Sequence, residues 1–263
     1  MSAPWKTKIT FLDIPTRVSN PTSLNTWKVR LVLNFKGLQY ETRWVPSADI
    51  QSVCKSLNIP PTGTKPTGDP HYTLPAIIDY TRSSSNPEII SDSTPIIQYL
   101  EHTYPSPSHK LFPAGMEAEY RAFETFLLQD IMKHAPSLWF VDTLNAKSPR
   151  DQADFRARIE GRFGKKFEEI ELQGAEREAA WKDVERALGS LSNFFPGGKG
   201  KKYLTGDVVS FPDFALCGFL LFIKNISPDD GWQRIASLED GKWDGYVEAF
   251  GGWMAVDHPP AEL

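Results

Sequence analysis

Three short segments of the sequence carry residues whose types and spacing could hold an extended peptide or an anion. The first is residues 72–79, where Pro75 stands at the start of an apolar, β-branched run that predicts a strand. A cis Leu74-Pro75 bond would bend the chain there and expose the backbone of Leu74 to an incoming extended peptide. An ordinary trans proline at the start of an edge strand is the alternative interpretation.

The other two segments lie at predicted helix N-termini. Asp92 and Ser93 stand where a strand passes into a helix, so backbone N–H groups, the helix dipole and the Ser93 hydroxyl could hold a carboxylate. Asp92 could balance an ammonium group. Ser23 precedes the first helix, and its hydroxyl could point at whatever occupies that N-terminus. Simple N-capping is the alternative for both segments.

Composition and charge narrow the classes of partner. The 263 residues include 29 Lys and Arg against 33 Asp and Glu, a net charge of -4, without a basic run that could follow a phosphate backbone. Nucleic acid is therefore a poor candidate. No stretch approaches the roughly 18 to 20 apolar residues of a membrane-spanning helix, and the first residues lack the apolar run of a secretion signal. We expect a cytoplasmic protein without a membrane partner.

Few other chemistries fit the sequence. Its two cysteines, Cys54 and Cys217, cannot form a disulfide framework, a four-ligand zinc site or a Cys-x-x-Cys pair. The five histidines lack the His-Glu-x-x-His spacing, and we expect no metal site. The motifs of nucleotide-binding loops and serine hydrolases are absent. Any sulfur chemistry would have to use a borrowed thiol.

The elements that must position these residues fall into two groups. The first hundred residues alternate β-like and helical patterns, which predicts a small βαβ-ββα domain. Strands are predicted at 8–12, 40–45, 73–80 and 88–91, and helices at 25–36 and from Thr94 to Tyr104. The Pro-rich segment 58–73 is predicted to be an exposed insertion.

From Met116 onward the sequence shows only helical patterns. Apolar residues recur at spacings of three and four, which predicts amphipathic helices. The helical sets are Tyr120, Phe123, Leu127 and Ile131; Ile159, Phe163, Phe167 and Ile170; and Trp181, Val184, Leu188, Leu191 and Phe195. Residues 214–226 are apolar nearly all round and predict a central buried helix. The expected organisation is an α/β domain over 1–104, a linker over 105–115 and an all-helical domain over 116–263.

Taken together, the three segments resemble the cytosolic glutathione transferases. That family has a thioredoxin-like N-terminal domain with a cis-proline before strand three and an acid-Ser pair at the start of helix three, followed by an all-α domain. Leu74-Pro75 and Asp92-Ser93 match those positions, and Ser210 with Asp213 resembles the family's capping box in the helical domain. Residues 23–37 and 40–45 are similar to the fungal, etherase-related class found in wood-decaying fungi.

The resemblance implies glutathione as the cofactor. Asp92 and Ser93 would hold its γ-glutamyl end, Leu74 beside Pro75 would pair with the cysteinyl backbone, and Ser23 and Asn25 would surround the sulfur. Class members usually begin helix one with Ser-Pro-Asn, whereas this chain has Leu24 in the middle place. Ser19 and Thr22 therefore stay open as alternatives to Ser23 as the thiol-activating hydroxyl.

The resemblance also implies a class of acceptor substrate and an oligomeric state. Hydrophobic aromatic electrophiles would lie between the domains, against Tyr120, Trp139 and Phe140, and would be conjugated or cleaved at a β-ether bond; Trp139 and Phe140 could equally be core residues. The alternative function is a non-catalytic, glutathione-dependent carrier of aromatic or phenolic compounds from wood. A C2 homodimer is expected.

Overall fold

The computed structural model describes residues 5–106, 109–191, 195 and 200–257. Residues 107 and 108 of the predicted linker, and 258–263 at the end of the predicted helical domain, lie outside these ranges. The expected architecture is confirmed: an α/β layer comes first and helices follow. One helix ends at Thr103 and the next begins at Glu117, and the domain boundaries at 104 and 116 stay a prediction.

A four-stranded mixed sheet forms the centre of the first part, in the order β2-β1-β5-β6. β1 pairs parallel with β2, and β5 runs antiparallel to both β1 and β6. A short exposed hairpin, β3 with β4, occupies the Pro-rich segment that was predicted to be an exposed insertion. The strands are β1 (Ile9–Asp13), β2 (Tyr40–Trp44), β3 (Gly63–Thr64), β4 (Pro70–His71), β5 (Ala76–Asp79) and β6 (Glu88–Ser91).

Among the described residues, three α-helices accompany the sheet: α1 (Leu24–Phe35), α2 (Ile50–Ser56) and α3 (Ser93–Thr103). α1 connects β1 to β2, as a parallel pair requires. α2 was not predicted from the sequence. α3 begins one residue before the expected cap at Thr94, because Asp92 occupies the N-cap position with a φ of 74°.

The second part is helical. The predicted helix pattern through residues 159–170 is broken, since Gly164 ends its helix with a left-handed φ of 63° and Phe167–Glu169 forms a separate 3-10 turn. The helices are α4 (Glu117–Phe126), α5 (Ala135–Leu138), α6 (Phe140–Asn145), α7 (Pro149–Phe163), α8 (Gly174–Gly189), α9 (Phe211–Ile226), α10 (Gly231–Ser237) and α11 (Lys242–Glu248).

α9 is a buried helix at the centre of the molecule and one of the elements that contact the α/β layer. The predicted capping box is present: the Ser210 backbone N–H donates to Asp213 Oδ2 at 2.8 Å. α9 packs directly against α1. One apolar core consequently continues from the sheet, through α1, into the helices.

The segment after α11 returns to the α/β layer. Asp257 Oδ1 accepts a hydrogen bond from the buried guanidinium of Arg30 at 2.6 Å, and its Oδ2 accepts from the backbone of Thr42 at 2.6 Å. Asn34 Nδ2 donates to the carbonyl groups of Trp253 and Ala255 at 2.7 and 2.8 Å. The segment thus ties α1 and β2 to the helical part.

Candidate functional site

The N-terminus of α1 presents Ser23. Ser23 has an extended N-cap conformation and its Oγ accepts a 3.3 Å hydrogen bond from the Thr26 backbone N–H. Among the described residues, no hydrogen bond uses the Ser23 hydroxyl as a donor. The loop that leads to Ser23 is held at the Pro21 carbonyl oxygen. This oxygen accepts hydrogen bonds from Trp27 Nε1 at 2.6 Å and from Asn225 Nδ2 at 2.9 Å. The Ser23 hydroxyl can therefore cap the helix as an acceptor and still donate a hydrogen bond to a ligand.

The N-terminus of α3 stands beside that of α1. The positive φ of Asp92 turns the chain into the helix, and its N–H donates to the Pro75 carbonyl at 3.2 Å. Ser93 is buried, and its Oγ lies 3.4 Å from both Asn25 Oδ1 and Asp92 Oδ1. These contacts bring the two predicted polar segments together.

The Leu74-Pro75 peptide bond is cis, as predicted. Leu74 lies just outside β5, and neither its N–H nor its C=O makes a backbone hydrogen bond to another described residue. Its main-chain groups can therefore pair with an extended ligand, as the strand-addition interpretation requires.

The first of two cavities at these helix starts, here called the α1–α3 cavity, has a volume of about 490 Å³. It carries cationic and anionic side chains in equal number, two of each. Its lining consists of Leu24, Asn25, Lys28, Asp92, Ser93, Thr94, Arg121, Glu124, Thr125, Leu127, Leu128 and Ala215. Such a lining suits a zwitterionic group.

Lys28 and Glu124 bridge α1 and α4 in this cavity. Lys28 Nζ lies 3.6 Å from Glu124 Oε1, which also accepts a 2.8 Å hydrogen bond from Thr94 Oγ1. Burial lowers the pKa of the Lys28 ammonium, whereas the carboxylates of Glu124 and Asp92 oppose this lowering. Neither residue was predicted from the sequence. The i, i+3 spacing of Asn25 and Lys28 could have indicated Lys28, but no sequence pattern connects Glu124 to it.

The second cavity, here called the α2–α7 cavity, has a volume of about 600 Å³. Ser23, Thr22 and Leu74 contribute to it, together with α2, the β3–β4 hairpin and the helical part. The remaining lining residues are Ile14, Ser47, Ala48, Ile50, Gln51, Ser52, Lys65, His71, Tyr72, Thr73, Thr143, Lys147, Asp154, Phe155 and Arg158. The predicted polar residues thus divide between two neighbouring cavities. Ser19 is exposed and lines neither of them.

The residues predicted to hold an aromatic acceptor lie elsewhere. The side chains of Tyr120 and Trp139 are 4% and 0% exposed and belong to the apolar core. Phe140 packs edge-on against Phe155, with ring centroids 5.5 Å apart, and lines neither cavity. Tyr120 and Trp139 are therefore core residues in this structure, because their aromatic surface is covered by other helices. The apolar side chains that do reach the α1–α3 cavity include Leu128, which is 60% exposed.

Comparison with protein families gives two matches that cover both parts of the fold. Residues 18–108 match the model of the glutathione S-transferase N-terminal domain, and residues 118–253 match that of the C-terminal domain. The chain belongs to the glutathione S-transferase family. The cis-proline, the start of α3 and the start of α1 all lie within the matched N-terminal domain.

Individual fungal transferases are similar over most of their length. The glutathione S-transferase-like protein ustS of Aspergillus flavus is 30% identical over 244 residues, which cover 88% of this chain and 84% of that protein. Glutathione transferase GSTFuA3 of Phanerochaete chrysosporium superposes with a TM-score of 0.84 and 35% identity, covering 95% and 98% of the two chains. A Ceriporiopsis subvermispora transferase, crystallised in complex with glutathione, has a TM-score of 0.84 and 34% identity at the same coverage. The resemblance to transferases of wood-decaying fungi is confirmed.

Two features are absent from the described ranges. No helix there is long and apolar enough to cross a membrane. Within the same ranges, no group of three or more His, Cys, Asp or Glu side chains could hold a metal ion.

Proposed function

We propose that this transferase binds glutathione across the two cavities and activates its thiol with the Ser23 hydroxyl. The observation that carries the proposal is the bonding of Ser23, which accepts from the Thr26 N–H but donates to no described residue. A thiolate at the N-terminus of α1 would accept a hydrogen bond from this hydroxyl. The helical cap and the thiol contact are therefore compatible roles of one side chain.

The γ-glutamyl end of glutathione would occupy the α1–α3 cavity. Its carboxylate would meet the N-terminus of α3 and the Ser93 hydroxyl. Its ammonium would meet Asp92, which is exposed at the same helix start. The glutathione complex of the Ceriporiopsis relative supports glutathione as the ligand. The cysteinyl backbone would pair with Leu74, which places the sulfur near Ser23 and Asn25.

Activation of the glutathione thiol in this way requires no general base. A free cysteinyl thiol has a pKa near 8.5, so about 3% is thiolate at pH 7. Lowering that pKa by about two units requires roughly 2.7 kcal/mol. A hydrogen bond to a charged acceptor supplies about 1.5 to 3 kcal/mol, and a helix N-terminus about 0.3 to 2 kcal/mol. Ser23 and the start of α1 are together sufficient.

The reaction would be nucleophilic attack on a hydrophobic aromatic electrophile. The thiolate sulfur forms the new bond to carbon, the leaving group departs with its electron pair, and the thiol proton goes to solvent. A halide leaves in conjugation, and an aryloxide leaves in β-ether cleavage. Ile14, Ile50 and Phe155 line the α2–α7 cavity together with Ser23 and offer apolar surface for such an acceptor.

The test is a titration of the bound thiol. Ser23→Ala should raise the pKa of bound glutathione by about one to two units, and should lower the rate with chlorodinitrobenzene about ten- to a hundredfold. Glutathione affinity should change less. Ultraviolet absorption of the thiolate measures the pKa. Ser19→Ala is the matched control, since Ser19 lines neither cavity, and it should titrate like the wild type.

Identical titration curves for Ser23→Ala and the wild type would refute the role of Ser23. Thr22→Val would then be the next variant, because Thr22 lines the same cavity. Tight glutathione binding without turnover of any aromatic electrophile would instead favour the carrier function. We also propose a cytoplasmic C2 homodimer, as is usual in this family; a light-scattering mass of one chain at micromolar concentration would contradict the dimer.

A further inference from the structure

Lys147 is a buried cation in the wall of the α2–α7 cavity, between α6 and α7. Its side chain is 6% exposed, and its Nζ donates one hydrogen bond, to Ser47 Oγ at 3.2 Å. An ammonium group has three donors. Within the described part of the chain, no carboxylate oxygen lies within 4.0 Å of Nζ. Lys147 thus lines a cavity with an incompletely paired charge.

Among the described residues, the nearby carboxylates make other contacts and none lies within 4.0 Å of Nζ. Asp151 Oδ1 accepts from the Ala48 N–H at 3.0 Å while its Oδ2 is buried without a hydrogen-bond partner, and Asp154 Oδ2 lies 3.6 Å from Arg158 Nε. Burial lowers the pKa of the Lys147 ammonium and Arg158 lowers it further, while Asp151 and Asp154 raise it. Lys147 Nζ also lies 5.4 Å from the centre of the Phe155 ring. A carboxylate brought into this cavity would gain an ion pair that the protein itself does not supply.

We propose that Lys147 is a carboxylate-binding residue of the thiol cavity. The inference rests on the proposed function and extends it. Of these two cavities, Ser93 lines the α1–α3 cavity and Leu74 lines the α2–α7 cavity. A tripeptide that runs from Ser93 past Leu74 therefore continues into the cavity that contains Lys147. The carboxylate can come from two sources: the C-terminal glycyl group of that peptide, or an aromatic acceptor that carries an acid.

The experiment compares Lys147→Gln with the wild type using two pairs of matched compounds. Glutathione and γ-glutamylcysteine differ in the glycyl residue, and their dissociation constants are measured by calorimetry. Chlorodinitrobenzoate and chlorodinitrobenzene differ in a carboxylate on the acceptor, and KM and kcat are measured separately for each. We expect about ten- to a hundredfold weaker binding of one carboxylate-bearing compound, with its partner compound little changed.

The pattern of loss identifies the source. A selective loss for glutathione indicates the glycyl carboxylate, and a selective loss for chlorodinitrobenzoate indicates an acidic acceptor. Lys147→Arg, which retains the charge, should keep most of the affinity. Lys65→Gln is the control for another cation of the same cavity and should not reproduce the selective loss.

Equal losses for both members of each pair, or no loss, would overturn the proposal, because a purely structural lysine would not distinguish compounds by their carboxylate. A selective loss with Lys65→Gln alone would overturn it as well. Thermal unfolding of each variant shows whether it folds. Lys147→Met, which is one atom shorter and carries no charge, replaces Lys147→Gln if that variant is unstable. The proposed function is tested separately, by the binding of glutathione to the wild type. A wild type that does not bind glutathione would contradict it, whatever the Lys147 variants show.

Discussion

Gly218 in the middle of α9 determines how closely the helical part approaches the thiol site. A Cβ atom at this position would lie 2.6 Å from the Leu24 carbonyl oxygen and 3.1 Å from the Lys28 backbone nitrogen. Ordinary contacts of a carbon atom are about 3.5 Å or longer. Gly218→Ala should therefore push α1 away from α9 by up to about 1 Å, at the turn that follows Ser23.

The expected loss of stability is the difference of two effects. Overpacking costs about 1 to 3 kcal/mol of stability. The upper half of this range applies here, because the obstructing atoms belong to backbone that cannot rotate away. Alanine gains about 0.8 to 1 kcal/mol over glycine inside a helix. The free energy of unfolding should fall by about 1 to 2 kcal/mol. Activity should fall further, up to about a hundredfold, because a 1 Å displacement of a reacting group has that effect.

The assays are urea unfolding, thiolate titration and kcat/KM with chlorodinitrobenzene. Gly245→Ala is the matched control: Gly245 lies in α11, is exposed, and an added Cβ would meet nothing within 4 Å. This control should gain up to about 1 kcal/mol in stability and keep its activity. If Gly218→Ala matched Gly245→Ala in stability and in thiolate pKa, the close packing of α9 against α1 would not position the site.

Two further predictions concern charges away from the cavities. Asp257→Asn should lower the free energy of unfolding by about 1 to 3 kcal/mol, because it weakens charge-assisted hydrogen bonds to Arg30 and Thr42; urea unfolding measures this, and an unchanged midpoint would contradict it. Burial, followed by the charge of Lys133, lowers the pKa of His134 in the folded protein. The unfolded state then binds more protons near its ordinary pKa of about 6.5, so stability should fall as the pH decreases through that value. His134→Gln should remove this part of the pH dependence in urea unfolding at pH 5 to 8, and equal pH profiles for variant and wild type would refute it.

The sequence predicted what depends on local chemistry. The capping box of Ser210 and Asp213 was predicted because its partners are three residues apart. α1 was predicted within one residue at each end, since its apolar residues repeat at four and Gly37 follows. α2 was missed because it has only seven residues and one buried side chain, Cys54, too few for a recognisable period.

The cavities could be predicted only in part, because their walls combine distant segments. Ser93 and Asn25, 68 residues apart, were assigned to two parts of one ligand through a family resemblance, and the structure brings them into contact. Lys147 and Ser47 are 100 residues apart and carry no motif, so a single sequence gives no reason to join them. An aromatic side chain such as Trp139 is typical both of ligand-binding sites and of apolar cores. Tertiary packing decides between the two, and it buries Trp139.

The position of Ser23 depends on the helical part as much as on its own helix. Gly218 allows α9 to lie against the first turn of α1, and Asn225, two turns further along α9, donates to the Pro21 carbonyl just before Ser23. The same carbonyl accepts from Trp27 inside α1, so both sides of the loop are fixed at one oxygen. The role proposed for Ser23 requires a defined place for its hydroxyl, because a charge-assisted hydrogen bond weakens rapidly with misalignment. If Ser23 has this role, changes in α9 should alter the pKa of the bound thiol through the position of Ser23 alone.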